Sequence, residues 1–579
     1  MVKGIPIFKV TLSEGLFNQD VQSDKLFAYA IEANKGPIGE PIYIASNDEA
    51  KRMFGVNFAP HFYQNGSGVV LYRVAFNGSQ ESSLIYKAYT KDEETDKTVD
   101  VLKITSTTSG TPKHKINLSR SLTSANAYNL TVTIEGVGSK KYQNISSLTN
   151  VVKRINNKFS EYIRAELLID EDAFLGKTNG LTEGKFLVKK ANGEYEVKAT
   201  VTENDDVVSE GIFKPSRIFY NKDDSGNIID TLSGGSNGKL LKTNGDISTV
   251  EIPDSGLQVG MPGTGTGDND PNVETTLLYA YRNAFEALED VDLLGVATLS
   301  NSEVVQNELI EHINKLIDPE VAKYRFGVTG FLSYPGTDSQ GRTNPETTID
   351  VDTLADSTGH IDNPFIIYIG QGVIFEEDGV KYNLLPHEAV QLYTGLRSKL
   401  DYNQSIFGGN QNKLLNGVKD VLPLTNDGAD IYKEDRITLN EAGVTTFLKK
   451  YGVTFLQGVT TAQDDIVLSY ESIMSIVVYV LRQLVDVAWP FMGEVLTEDI
   501  KSGFTNALSD TLKNIMDTDN SLMALEDYNI PPYDVETRAI TTAGFNDAGQ
   551  LVRKNQLLAI ARIVPRGAID AIELSVIVI

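Results

Sequence analysis

The chain has 579 residues, 41% hydrophobic and 22% charged, the balance of an ordinary folded protein and too long for one domain. It contains no cysteine, so disulfides, thiolate metal sites and cysteine nucleophiles are excluded together. Its 78 acidic against 52 basic residues give a formal charge of -26, which opposes a phosphate backbone, and no nucleic-acid partner is expected.

Residues 1–25 read as an extended arm, because Ile5, Ile7 and Val10 form a short β-prone run with no core of its own. This start lacks the apolar stretch of a signal peptide, and no apolar run approaches the ~18 residues that span a bilayer. Synthesis in a cytoplasm without membrane insertion is the expectation. Residues 26–85 alternate strand (LFAYAI), turn (Gly36–Pro37–Ile38–Gly39), strand (PIYI), a helix begun by Ser46, and a strand at 69–74. That order marks the first part of an α/β domain.

Residues 86–231 change to short Thr/Val/Tyr strands separated by turn clusters, a β-rich insertion. One helix is expected within it, where Leu148, Val151, Val152, Ile155, Phe159, Ile163 and Leu167 recur at helical spacing. The second part of the α/β domain, 232–430, contains a Gly/Thr-rich connector at 260–267, helices on Leu277–Leu278–Tyr281–Phe285 and on Val305–Leu309–Ile313, and strands at 325–332 and 365–369. In 431–565 the pattern predicts a helix at 440–450, a strand at 453–457, two long helices at 466–487 and 497–516, and closing strands. A last arm, 566–579, ends in ELSVIVI, with Leu574, Val576 and Val578 alternating along it. The fold class is therefore α/β (α+β) and multi-domain, with mixed sheets covered by helices, a β-rich insertion and strand arms at both ends.

Motifs for chemistry fall short. No two of the five histidines are close in sequence, and His387–Glu388 opens a zincin-like pattern with Gln391 where its second histidine belongs. Gly234–Lys239 resembles a phosphate loop, but Ser233 replaces its leading glycine and Leu240 its magnesium-binding hydroxyl. Glu376–Glu377 and Asp464–Asp465 read as solvated acids in a chain with so many of them. Gly263–Gly265–Gly267 with Asp268–Asn269–Asp270 lacks the twelve-residue calcium loop. Trp489, among apolar neighbours, is expected to pack in a core or interface. No catalytic residue, metal or cofactor is expected, and the chain is not read as an enzyme.

Four segments in order resemble contractile tail sheath proteins of bacteriophages and related injection machines. They are KGPIGEPIYIASNDEAKRMFG (35–55) with the strand at Tyr72–Arg73–Val74, LSGGSNG (232–238), the pair NKLLNGVKDVLPLTND (412–427) and LNEAGVTTFLKKYGVTFLQGVTT (439–461), and the ending QLLAIARIVPRGAIDAIELSVIVI. The resemblance implies a structural subunit that stacks in hexameric rings around a tail tube protein, with baseplate and tail terminator proteins as further partners. It implies strand-adding arms, a location in the virion, and contraction that drives the tube through a host envelope during genome delivery. It also puts tube-facing elements near the C-terminus, where the polar face of 497–516, with Glu498, Lys501 and Lys513, is the candidate. The competing readings are a β-rich adhesin or glycan-binding virion protein and an enzyme with an α/β core.

Overall fold

In the computed structural model the described residues are 25–566 except 56–67, 90–97, 122–126, 169–185, 190–194, 199–220, 223–227, 253–270, 319–320, 333–348, 378, 409–410, 427–428, 431–432, 451, 464–466, 520, 526–528 and 546–550. Ile5, Ile7, Val10, Leu574, Val576, Val578, the connector at 260–267 and Asp464–Asp465 lie outside them.

FAYAI carries no charge, so it can be buried on both faces, and it forms β1 (Phe27–Ile31) inside a parallel sheet. After it come β2 (Pro41–Ile44), α1 (Asn47–Phe54) and β3 (Val69–Arg73). Ser46 starts α1 as its pattern predicts, its hydroxyl accepting from the Glu49 N–H at 3.2 Å while Glu49 Oε2 accepts from the Ala45 N–H at 2.9 Å.

The β-rich stretch supplies β4 (Glu81–Tyr89), β5 (Thr98–Ser109), β6 (Lys115–Arg120), β7 (Tyr128–Ile134), β8 (Gly138–Ile145), α2 (Leu148–Lys158) and β9 (Ile163–Leu167). They make two antiparallel sheets, β4-β5-β9 and β6-β7-β8, which share a core with α2 through Leu102, Leu130, Val132, Val151 and Ile155. The expected boundary at 86 falls inside β4, whose Leu84 joins the same core. The expected helix through Leu167 stops at Lys158. Ile163, Ala165 and Leu167 fit a two-residue period as well as a helical one, and pairing of β9 with β5 decides between them.

Further on lie α3 (Pro271–Ala287), β10 (Gly295–Thr298), α4 (Glu303–Ile317), β11 (Phe326–Gly330), α5 (Val351–Asp356), β12 (Ile366–Ile369), α6 (Pro386–Arg397), α7 (Lys433–Glu441) and β13 (Val444–Thr445). The main sheet runs β2-β3-β1-β10-β11-β12-β13, parallel throughout except for β2 against β3. Its core takes Leu277 and Phe285 from α3, Leu309 and Ile313 from α4, and Leu392 and Leu396 from α6. This is the predicted mixed α/β architecture. The helix expected at 440–450 is a correction: α7 ends at Glu441, Gly443 turns the chain at φ 76, and the β-branched run after it pairs with β12.

The chain closes with α8 (Glu471–Ala488), α9 (Glu498–Asp519), β14 (Tyr533–Phe545) and β15 (Leu551–Ile563). Contrary to the count of apolar runs, Glu471–Phe491 is long and apolar enough by composition to cross a bilayer. Its Glu471 and Arg482 are both ion-paired to other elements of the protein, Arg397 and Asp292, which a run count cannot see.

The β-rich unit is fastened to the main sheet by buried cations. Arg73 donates to the Gly36 and Ser109 carbonyls, each at 2.8 Å, and Lys35 to the Glu135 carbonyl at 2.5 Å. Gly110, at φ 127, lies so close that a Cβ there would collide with the Asn34 carbonyl. Burial lowers Lys35 to about 8, against the opposing pull of Glu135. His114 accepts the Glu135 N–H on Nδ1 at 3.2 Å, and burial, reinforced by the charge of Lys35, lowers it to about 4. Because this folded value lies below the unfolded one, His114 favours the fold above pH ~6.5, and that contribution is lost as pH falls through about 4. The predicted loss is at most about 3 kcal/mol. His114→Asn, whose amide oxygen can still accept the Glu135 N–H, should flatten the fall of the urea midpoint between pH 6.5 and 4, followed by near-UV circular dichroism. An unchanged slope would contradict this role.

Candidate assembly interface

Among the described residues no group of three or more His, Asp or Glu is placed to hold a metal ion. The acids singled out by sequence serve as ion pairs: Glu376 faces Lys419 at 3.7 Å and Glu377 faces Lys51 at 3.5 Å, on opposite sides of one strand. His387 is buried in the first turn of α6, where Glu388 accepts the Leu385 N–H at 2.9 Å. The glycine-rich turn 232–238 closes the β-rich unit, its Ser233 and Ser236 bridging Ser83 and Gln80.

The C-terminal unit presents itself differently. Helix α8 begins in the main core, where Met474 and Val478 pack, and then leaves it to meet α9. The core it forms there is small: Ile476, Val480, Leu512, Ile515 and Leu522. On this rests a two-stranded antiparallel sheet of thirteen paired residues, β14 with β15, held to α9 by the Thr505 and Thr537 hydroxyls at 2.6 Å. Among the described residues neither strand has a second ladder partner, so each has an outer edge of backbone donors and acceptors. A lone hairpin is at best marginally stable in water, and this one is supported by its packing on α8 and α9. The chain then runs back along 521–523, Met523 N–H to the Val564 carbonyl at 3.0 Å and Arg566 N–H to the Ser521 carbonyl at 2.8 Å, which fixes the root from which residues 567–579 depart.

A buried ion pair anchors α8. Arg397 and Glu471 are both fully buried; Arg397 Nη1 lies 3.2 Å from Glu471 Oε1 and donates to the Gln404 carbonyl at 2.6 Å, while its Nη2 donates to the Asp401 carbonyl. The Tyr393 hydroxyl donates to the same carboxylate oxygen at 3.2 Å, and burial first, then the Glu471 charge, raises that phenol far above its ordinary value. Sequence reading missed this pair. Its one signal is a glutamate opening a helix that carries no further charge until Arg482.

Of the candidate tube-facing residues, Glu498 and Lys501 are brought together, Nζ to Oε2 at 3.6 Å in the first turn of α9. Lys501 is half-buried while Lys513 is exposed, and at about 100° per residue Lys513 sits about 120° around the helix from Lys501. Trp489 is 45% exposed, so of the two expected settings it does not sit in a core of this chain. With Met492 and Val495 it forms an apolar tip between α8 and α9.

No family model and no curated protein matches the chain by sequence. Solved structures do. The chain is similar to the sheath tail protein from Desulfitobacterium hafniense, with a TM-score of 0.53 and 12% identity over 93% of this chain and 96% of that one. A sheath tail protein from Listeria innocua aligns over 92% and 94% at 11% identity, with a TM-score of 0.47. The contracted helical sheath of the anti-feeding prophage aligns over 51% and 74% at 13% identity, with a TM-score of 0.32. The chain has a tail-sheath fold, shared with the Desulfitobacterium protein over nearly the whole of both chains.

Removing one partner of the buried pair tests its role. Arg397→Met should cost ~3–5 kcal/mol by leaving Glu471 buried and unpaired, and Arg397→Met with Glu471→Leu should recover most of that. Urea unfolding followed by Trp489, the single tryptophan, reads both. A double variant no more stable than the single one would contradict this.

Proposed function

We propose that the chain is the structural subunit of a contractile tail sheath. The observation that carries this is the fold shared with a sheath tail protein over 93% of the chain. In this reading the subunit stacks in hexameric rings around a tail tube protein, between baseplate and tail terminator proteins, in a virion. Contraction drives the tube through the host envelope for genome delivery. The energy is stored in assembly, so the role is structural and not enzymatic.

The small C-terminal core and the open edges of β14 and β15 support strand addition by neighbouring chains, with Ile5, Ile7 and Val10 of one arm and Leu574, Val576 and Val578 of the other as the alternating side chains. Residues 86–231 would lie on the outer face, where they interrupt rather than complete the segments that resemble sheaths.

Deleting 573–579 should leave a soluble folded chain that forms no tubes under negative stain, while the full chain forms tubes or short polysheath. Normal tubes from the truncated chain would refute strand addition, and absence of any helical assembly from the full chain with its tube protein would refute the sheath reading. The exposed face of α9 at Glu498, Lys501 and Lys513 would meet the tube through contacts worth about 1 kcal/mol or less each, multiplied by subunit number. Reversing Lys501 and Lys513 to Glu should weaken tube decoration and spare tube-free polysheath. Equal decoration by both proteins would remove these residues from the interface.

A further inference from the structure

The amino ends of three neighbouring parallel strands, β1, β10 and β11, open towards one cleft of about 310 Å³. Its walls are the loops leading into β10 and β11 and one side of α8. Tyr402 and Tyr479 stack in it with ring centres 4.3 Å apart, beside Val291 and Leu293. Of the charges around it, Arg482 pairs with Asp292, Lys323 with Asp290 at 2.9 Å and Glu289 with Lys315 at 2.6 Å, Arg325 donates to the Leu288 carbonyl at 2.9 Å, and Asp486 lines the cleft as well. An apolar, aromatic floor inside a rim whose charges are mostly paired suits an uncharged apolar side chain better than an ion.

The chain itself arrives beside this cleft. The Leu294 N–H donates to the Leu26 carbonyl at 2.7 Å, one residue from Leu293 in the lining. Lys25 Nζ stands 5.8 Å from the Tyr402 ring centre and 2.9 Å from Asp401 Oδ1. Lys25, the first described residue, therefore stands at its mouth. Fully extended chain from Lys25 brings residue 21 within about 14 Å and residue 17 within about 28 Å. Those residues are Val21 and Phe17, the apolar members of the otherwise polar stretch FNQDVQSD.

We propose that segment 16–24 folds back onto its own subunit and seats Phe17 and Val21 in the cleft against Tyr402 and Tyr479. This fastens the root of the N-terminal arm to the junction of the main sheet with α8 and leaves residues 1–15, with Ile5, Ile7 and Val10, as the part available to another chain. A fastened root removes part of the ordering cost of whatever the tip then binds. The inference does not depend on the sheath reading, which tube formation tests separately.

The cysteine-free chain allows a direct test. Asn18→Cys and Gln483→Cys are introduced together and treated with a short bismaleimide at low protein concentration, with products separated on denaturing gels and mapped by mass spectrometry. The expected product is an intramolecular link. Adding Phe17→Ser and Val21→Ser should slow its formation about tenfold or more, the scale of losing two buried apolar side chains. A ladder of linked chains would overturn the proposal in favour of a second copy's arm in the cleft. An intramolecular link whose rate ignores Phe17 and Val21 would overturn it as tethering alone, and so would the absence of any link.

Discussion

The constraint on which the rest depends is that, among the described residues, the hairpin that ends the C-terminal unit pairs only with itself. Among the described residues the cluster beneath the hairpin of thirteen residue pairs has five buried members, with Phe504 and Leu508 buried further along α9, and each hairpin strand is laddered on one side. Main-chain groups along a sheet edge are satisfied by water or by another strand, and the second gives a directional, register-specific contact. The main α/β domain, with its seven-stranded sheet and large core, supplies the rigid body that carries the unfinished unit.

The helix α8 joins these parts. Its first residue is locked by Arg397 into the main core, its middle packs on both cores, and its end carries the exposed tip at Trp489. A buried ion pair contributes little net stability but is costly to break, so it defines where the helix begins more than how tightly it is held. The β-rich unit is fastened at the other side of the sheet by Arg73 and Lys35, again through buried cations donating to carbonyls. Charge placed in buried positions thus marks both junctions of the main domain.

Much of this was legible from the residues. The uncharged run LFAYAI read as a strand, Ser46 read as a helix start, and the order of strands and helices gave a mixed α/β fold. Periodicity failed where a run fits two periods. Ile163–Leu167 has helical spacing but alternates on β9, and the β-branched residues after Gly443 pair with β12. The Arg397–Glu471 pair joins residues far apart in sequence, and no local pattern announces it. Trp489 illustrates the reverse: apolar neighbours in sequence do not imply burial when the chain turns between two helices.

Hydrogen exchange of the hairpin tests the central claim most directly. In the unassembled chain, the amides on the outer edges of β14 and β15 should exchange quickly while those paired between the two strands are slower. In assembled tubes the outer-edge amides should become protected to the same degree as the inner ones, because strands from other chains cover them. Outer-edge amides that remain fast in fully formed tubes would contradict the account, since the unfinished sheet would then play no part in assembly.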